Sequence, residues 1–540
     1  MLDAVFWSIF GNAYIPIALL FLLLDIALCI TVVFLERKNP SVALAWVLAF
    51  IVFPIIGIII YMFFGRHLYG ARIFSKKTEA DIMYKNIARE QLERWHEYHG
   101  ETLDAEGFEK TAALLLNADD AIFTDNNKIT VFTDGEEKFA ALFDAIRSAK
   151  HHIHIEYFII RNDDLGRKMV ALLAEKAAEG VEVRAIFDAI RSAKHHIHIE
   201  YFIIRDDDLG RKIVALLAEK AAEGVEVRAI FDAAGTFRIH KKKFFGAICR
   251  AGGDVRIFFP LKIPFLNTRL HFRNHRKILV VDGRVGFIGG FNIGDEYLGK
   301  GGMGYWRDTH LRIEGSAVAS LQRRFVMDWN YAAKDARLFV SAESGEYFPA
   351  ELMEEHGTSR VQIASSGPDS PDRAIYSGYI SLIGQAKESI YIHTPYFIPD
   401  EAMYTALLLA ARSGVDVRVV IPCKPDHPFV YWANHSYLGD LLAAGVRGYT
   451  YNDGFIHSKA SVFDGKAATV GTANWDIRSF KLNFETNAFV YDSEICEKMR
   501  ADFLAELETN CTEITQEMYA NRSVRVRIRE GVSRLMSPLL

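Results

Sequence analysis

From Tyr14 to Leu35 the chain runs 22 residues with a single charge, Asp25, and from Val42 to Phe64 it runs 23 with none. As helices these runs would each extend roughly 33–35 Å, enough to cross a hydrocarbon core of about 30 Å. Neither run shows a polar face, which argues against the rival reading of two buried core helices. No basic segment precedes the first run, so it does not read as a cleaved leader. The link Glu36–Ser41 is too short to part the two runs, so residues 1–66 are predicted to form a two-helix transmembrane hairpin with both ends on one side. Arg66, Arg72, Lys76, Lys77 and Lys85 follow the second run, against Arg37 and Lys38 in the link. That bias places the remainder in the cytoplasm, on a multi-pass protein of the cell membrane. Asp25 falls in mid-bilayer, where a carboxyl is costly and serves either helix packing or lipid handling.

Beyond the hairpin the pattern changes. Residues 67–130 read as a helical linker, rich in Glu, Lys and Ala between Ser75 and Asn117. After it, short β-branched runs alternate with Ala/Leu/Lys/Glu helices, as in an α/β layer. A coarse repeat divides this region. Ala193-Lys-His-His-Ile-His-Ile-Glu-Tyr-Phe-Ile203, a helix and Gly224-Val-Glu-Val-Arg228 are answered by Ala386-Lys-Glu-Ser-Ile-Tyr-Ile-His-Thr-Pro-Tyr-Phe-Ile398, a helix and Gly414-Val-Asp-Val-Arg418. Each unit is strand, crossover helix and strand, which requires parallel pairing. The prediction is two homologous α/β halves, 131–340 and 341–518, ahead of a basic tail at 519–540.

A finer repeat is of another kind. Residues 144–187 recur as 188–231, 44 residues that differ only at Asn162/Asp206 and Met169/Ile213. One copy is surplus. The second is in step with the downstream motif, since Gly224 to His275 resembles Gly414 to His457 in length, whereas Gly180 lies 44 residues further away. One copy is expected in the native sheet and the other outside it. Near-identical copies also leave the sheet register degenerate there.

Composition narrows the function classes. With 540 residues, a formal charge of −5, 24 % charged residues and 14 prolines, the chain is neither disordered nor collagen-like, and its charge does not suggest a nucleic-acid partner. Cys29, Cys249, Cys423, Cys496 and Cys511 are scattered without a CxxC pair, so neither a disulfide framework nor a metal site is expected. His151, His152, His154 and their copies His195, His196 and His198 look metal-like only because they are duplicated; a strand bordering the site explains them better.

The chemistry rests on a doubled motif. His275-Arg-Lys277, Asp282, Gly289-Gly290 and Asn292 are matched at the same spacing by His457-Ser-Lys459, Asp464, Gly471-Thr472 and Asn474. On a strand, residues two apart project from one face, so each His sits beside its Lys. Around a pseudo-twofold axis, two His and two Lys would meet at one point. Two ammonium groups and two amides suit a phosphate whose charge grows in the transition state. Two imidazoles can divide nucleophilic attack from proton transfer without a metal or other cofactor.

The doubled pattern resembles the phospholipase D superfamily, with its two HKD motifs in one site. The closer resemblance is to bacterial cardiolipin synthases, and covers essentially the whole chain. It also rests on Arg37-Lys-Asn-Pro with Ala45-Trp46, on Ile288-Gly-Gly-Phe-Asn-Ile-Gly-Asp-Glu-Tyr297, on Tyr305-Trp-Arg-Asp308, on Asp476-Ile-Arg-Ser-Phe-Lys-Leu-Asn-Phe-Glu485 and on Arg534-Leu-Met-Ser-Pro-Leu-Leu540. The extra 44 residues are its departure. The resemblance implies two phospholipase D-like halves with mixed sheets flanked by helices. It further implies transfer of a phosphatidyl group between two phosphatidylglycerol molecules, giving cardiolipin and glycerol through a phosphohistidine. His275 as nucleophile and His457 as acid/base is one assignment, and the symmetry allows the reverse. Lys277, Lys459, Asn292 and Asn474 would hold phosphate oxygens, while Asp308 and Glu485 would orient the histidines. Asp282 and Asp464 belong to the motif, but their place after an apolar strand suits a structural turn as well as chemistry. A hydrolytic phospholipase D is the nearest rival, followed by a superfamily nuclease and by a silent membrane protein whose sheet the duplication spoils. Arg269 and Arg273 in an apolar stretch from Phe258 to Val281, and Arg522, Arg525, Arg527, Arg529 and Arg534 in the tail, suit an anionic lipid surface. Oligomeric state is not legible.

Overall fold

The computed structural model describes residues 23–35, 40–53, 57–58, 61, 87–93, 96–97, 104–157, 163–179, 181–184, 196–201, 218, 222, 226–232, 246–251, 254–258, 273–332, 345, 347–370 and 372–537. The chain divides into one unit of residues 1–75 and 261–271 and another of 76–260 and 272–540.

In the first unit, residues 23–30 are helical and Thr31–Leu35 form a π-turn. Helix α1 (Pro40–Val52) follows, 13 residues long. No helix among the described residues is long and apolar enough to cross a membrane. The two spans expected are described only in part: residues 57–58 are again helical, and the Gly57 amide donates to the Phe53 carbonyl. The rest of both spans, residues 14–22, 54–56, 59–60 and 62–64, lies outside the described residues, as do 36–39, Arg66, Arg72, Lys76, Lys77 and Lys85. Leu28, Val32, Phe50, Ile58 and Tyr61 pack on one another. The opposite surface is apolar too, with Leu23, Leu24, Ile30, Phe34, Leu44, Leu48, Ile51 and Val52 exposed.

The second unit carries strands β1 (Thr124–Phe132), β2 (His152–Glu156), β3 (Glu182–Arg184), β4 (His196–Tyr201), β5 (Glu226–Asp232) and β6 (Asp254–Phe258). Next come β7 (Ile278–Val281), β8 (Val285–Gly289), β9 (Tyr305–Arg307) and β10 (His310–Glu314). The second half adds β11 (Ser359–Ser366), β12 (Ser389–His393), β13 (Phe397–Ile398), β14 (Asp416–Pro422), β15 (Arg447–Tyr451) and β16 (Gly454–Ile456). It closes with β17 (Ala460–Phe463), β18 (Ala467–Gly471), β19 (Trp475–Asp476), β20 (Glu485–Tyr491) and β21 (Cys511–Ile514). The helices longer than two turns are α2 (Glu109–Asp119), α3 (Gly135–Ser148), α4 (Asp164–Ala178), α5 (Ala317–Ala332), α6 (Ala374–Gln385), α7 (Glu401–Arg412), α8 (Pro428–Leu442), α9 (Ser493–Asn510) and α10 (Val524–Met536).

Fourteen strands form one mixed sheet in the order β21-β15-β14-β12-β17-β18-β20-β11-β1-β10-β8-β7-β2-β3. It reads outward from the antiparallel β1–β11 junction as two copies of one design. β7 pairs with β2 as β17 pairs with β12, and β2 meets β3 in parallel as β12 meets β14. The run Ile-Leu-Val-Val of β7 is buried on both faces, as a strand between two layers requires. Ile278 and Val280 face Leu321, Phe325 and Val326 of α5. Leu279 and Val281 face Phe139 and Leu142 of α3 and Leu173 of α4.

The duplicated copies fold into the same local unit. In the first, β2 and β3 pair in parallel with His152 opposite Glu182; in the second, β4 and β5 do so with His196 opposite Glu226, the identical register. The first copy stands in the large sheet against β7, whereas the second forms a three-stranded sheet, β4-β5-β6. The downstream spacing favours the second copy in the large sheet; the structure places the first there. Their sequences differ at one residue of this core, Met169 in the first copy and Ile213 in the second, an exchange of one apolar side chain for another that does not choose between them. β6 is the counterpart of β15, which in the second half pairs with β14. Here it follows β5 and stays with the second copy.

Candidate active site

Each histidine is positioned by backbone from the other half. β16, just before His457, runs parallel to β9, and the His457 amide donates to the Arg307 carbonyl (2.8 Å). In the mirrored place Asn274 bridges Phe484, and the His275 amide donates to the Phe484 carbonyl (2.9 Å). The residue after each of those carbonyls is a carboxylate, so the carboxylates are crossed. Asp308 of the first half accepts from Nδ1 of His457 at 2.6 Å. Glu485 of the second half lies 2.9 Å from Nδ1 of His275. A carboxylate on Nδ1 fixes the proton there and leaves Nε2 with its lone pair. Thr309–Ser458 (2.7 Å) and Arg276–Thr486 (3.0 Å) repeat the same crossing one residue further on.

Alternation does the rest. Lys277 and Lys459 turn to the same side as their histidines, and each ammonium donates to the carbonyl of its own histidine, Lys277 at 2.6 Å. Arg276 points the other way, to Asp328 at 2.6 Å. The histidines are each 8 % exposed, while Lys277, Lys459, Asp308 and Glu485 are at most 1 % exposed, so what reaches the site meets imidazole first. Gly290 is required by this packing: a Cβ there would stand 2.0 Å from Asp308 Oδ1.

The charges act on one another across the axis. Burial pushes the Lys277 ammonium down to about 7, with Glu485 opposing and Lys459 adding to the shift. Burial likewise lowers Lys459 to about 8, against the pull of Asp308 and Glu485. His457 is pushed down to about 3 by burial first and Lys459 second. His275 is lowered by burial, partly offset by Glu485. Burial raises the Glu485 carboxyl, but His275 and Lys277 outweigh it and leave the group below its ordinary range. The free site therefore holds neutral imidazoles beside ammonium groups that are half-committed to their protons, an arrangement that an incoming anion completes.

The other predicted residues fall around this centre. Asn292 donates to the Tyr297 hydroxyl (3.2 Å), which lies 3.2 Å from Nδ1 of His457. Asn474 donates to Asp476 (3.1 Å), whose charge acts on Lys459. Tyr297, in the short 3-10 turn Asp295–Leu298, and Trp306, on the three-residue strand β9 with its ring 5.3 Å from that of His457, receive no role from the sequence because elements this short show no period to read. Asp282 and Asp464, grouped with the motif, stand at the far end of their strands, roughly 20 Å of extended chain from the histidines. Asp282 accepts from the amides of Lys150, His151 and His152 at 2.7 Å each, and Asp464 from those of Lys387, Glu388 and Ser389 at 2.8–2.9 Å. Both open an Asp-Gly turn with positive φ at both residues, 52° and 66° in one and 54° and 64° in the other. Hairpins favour that pair for this conformation, so the dipeptide itself carried the signal. His152 and His154 lie on β2 against Gln322, with the His154 ring between Phe325 and Tyr347. Residues 185–195, with His195, and the stretch 259–272, with Arg269, lie outside the described residues; Arg273 gives its carbonyl to Phe484.

Known proteins resemble this chain over nearly its whole length. Residues 186–329 and 379–507 match the family described as "Cardiolipin synthase, PLD-like domain", and 23–66 match "Phospholipase D-nuclease N-terminal". The first match takes in the second duplicated copy and leaves out nearly all of the first. Cardiolipin synthase of Listeria monocytogenes serotype 4a (strain HCC23) is 42 % identical over 531 residues, 98 % of this chain and 99 % of that one. Major cardiolipin synthase ClsA of Bacillus subtilis (strain 168) is 41 % identical over 525 residues, 96 % and 98 % of the two chains. The crystal structure of phosphatidylserine synthase from Haemophilus influenzae Rd KW20 shares the fold, with a TM-score of 0.52 at 14 % identity over 80 % of this chain and 100 % of that one. With its mixed sheet, flanking helices and two matched repeats, the chain belongs to the cardiolipin synthase family of phospholipase D-like proteins.

Proposed function

We propose that this protein transfers a phosphatidyl group from one phosphatidylglycerol to another, forming cardiolipin and glycerol. The observation that carries this reading is the crossed pair of carboxylate–histidine couples with a lysine beside each histidine. One Nε2 attacks the phosphorus of the first lipid; the N–P bond forms and the P–O bond to glycerol breaks. The other imidazole, protonated once the anionic phosphate is bound, gives its proton to the departing glycerol oxygen. It then takes a proton from a hydroxyl of the second phosphatidylglycerol, whose oxygen displaces histidine from phosphorus. Lys277 and Lys459, with Asn292 and Asn474 beside them, stabilise the growing charge on the phosphate oxygens. Asp308 and Glu485 position the rings, and Asp282 and Asp464 hold the strands.

The hairpin belongs to the same proposal. The outward apolar surface of the first unit and the family match over 23–66 support an anchor formed by residues 14–35 and 42–64 in the bacterial cell membrane, with the catalytic halves on the cytoplasmic side. Membrane phosphatidylglycerol is then the substrate and the surrounding anionic lipid.

The lysines set the alkaline limb. An amine with a lowered pKa is charged below that value and neutral above it, so phosphate binding is present below and lost above. For the free enzyme, kcat/KM is expected to fall as pH rises through 7 to 8, the span of Lys277 and Lys459. kcat, read with the anion already bound, holds to higher pH. A kcat/KM flat to about pH 9 would remove the lysines from this role.

Labelled phosphatidylglycerol supplied to the detergent-solubilised protein tests the reaction itself. Cardiolipin with glycerol is the expected product pair; phosphatidic acid alone would show that water, not a lipid alcohol, takes the phosphatidyl group. The same assay on a chain lacking residues 144–187 is expected to give the same products with no loss of thermal stability. The remaining copy repeats the first except for Asp206 and for Ile213 in place of the buried Met169, and leads directly into β6. A fall in both would show that the two copies are integral to one fold.

A further inference from the structure

Helix α10 is built inside out. Glu530, Ser533 and Ser537, each at most 4 % exposed, face inward towards α8. Arg534 pairs with Asp440 and lies 4.5 Å over the Tyr437 ring, whose hydroxyl meets Ser537 (3.0 Å). Arg529 lies 5.3 Å over Trp432, and Arg522 reaches Glu530 at 2.6 Å. The polar groups thus secure the helix to the body. Its apolar residues look outward: Val524, Ile528, Val532 and Leu535 are 71, 60, 47 and 83 % exposed. Their spacing of four, four and three residues makes one continuous stripe opposite the docked face. Exposed Arg525 and Arg529 border it on one side, and exposed Arg527 on the other.

An apolar stripe between arginines matches a phospholipid surface in both respects: acyl chains take the stripe, and anionic headgroups meet the positive charge along its borders, where Arg525 is exposed, Arg527 donates to the Ala520 carbonyl and Arg529 covers Trp432. The helix is also well placed. α8, on which it lies, begins two residues after Asp426, which holds the Tyr396 hydroxyl and whose charge acts on Lys459. α8 therefore starts beside the candidate site, and α10 meets α8 from Trp432 to Asp440.

We propose that α10 is an interfacial helix that lies in the headgroup region of an anionic bilayer and seats the mouth of the site against the lipid surface. It is a second membrane contact, independent of the hairpin and of the reaction chemistry.

The test uses the full chain reconstituted in vesicles of phosphatidylglycerol and phosphatidylcholine. A diazirine-bearing phenylalanine analogue is placed at 528, at 535 or, as a control, at exposed position 508 on α9. Light is expected to give lipid adducts at 528 and 535 well above those at 508, and Arg525→Gln should lower the yield about five-fold at low salt. Protein–protein adducts between copies, adducts no greater than at 508, or equal yield in phosphatidylcholine alone would each overturn the proposal. The hairpin keeps every variant at the membrane, and the readout is lipid attachment, so a failure here is distinct from a failure of the proposed reaction.

Discussion

His275→Ala and His457→Ala are each expected to lower phosphatidyl transfer by about four orders of magnitude or more. Their loss should not add: the double variant should be no slower than the poorer single one, because the two rings serve one reaction coordinate. Both rings are held by charged partners from the opposite half, Glu485 for His275 and Asp308 for His457. Removing either ring strands a buried carboxylate. Stability is therefore measured alongside activity, and a folded, inactive protein is the expected result for both.

The second large effect falls on stability. Asp464→Ala removes three charge-assisted hydrogen bonds to the amides of Lys387, Glu388 and Ser389, and puts alanine at a φ of 54°. Together these are expected to cost about 3–5 kcal/mol. Asp282→Ala removes the matching bonds to Lys150, His151 and His152. The midpoint of denaturant unfolding should drop sharply for each, while kcat per folded molecule changes little. A normal midpoint with kcat reduced as far as in the histidine variants would return these aspartates to the chemistry.

The two-half design was legible in the sequence because strand, helix, strand and motif recur in the same order. The pairs His275/Lys277 and His457/Lys459 stood out through doubled spacing, and the structure brings both pairs to one centre. Asp308 and Glu485 could be picked out by their place after each motif. Which histidine each meets could not, because the crossing depends on β9 against β16 and on Asn274 beside Phe484, contacts between residues far apart in the chain. Asp282 and Asp464 travel with the motif, yet the glycine after each marks a turn. The duplicated segment was visible at once. Its placement was not, since Asp282 meets Lys150, His151 and His152, and the same three residue types recur at 194–196. The tail at 519–540 read as basic; its stripe emerges only when α8 fixes which side of α10 faces inward.

In the proposed reaction a histidine at one end of this crossed pair carries the phosphatidyl group during turnover. Rapid acid-free quenching of the protein with phosphorus-labelled phosphatidylglycerol, followed by peptide mapping, tests it most directly. Label is expected on His275 or His457 and absent when that residue is replaced by Ala. Label elsewhere, or cardiolipin still formed by the double variant, would contradict it.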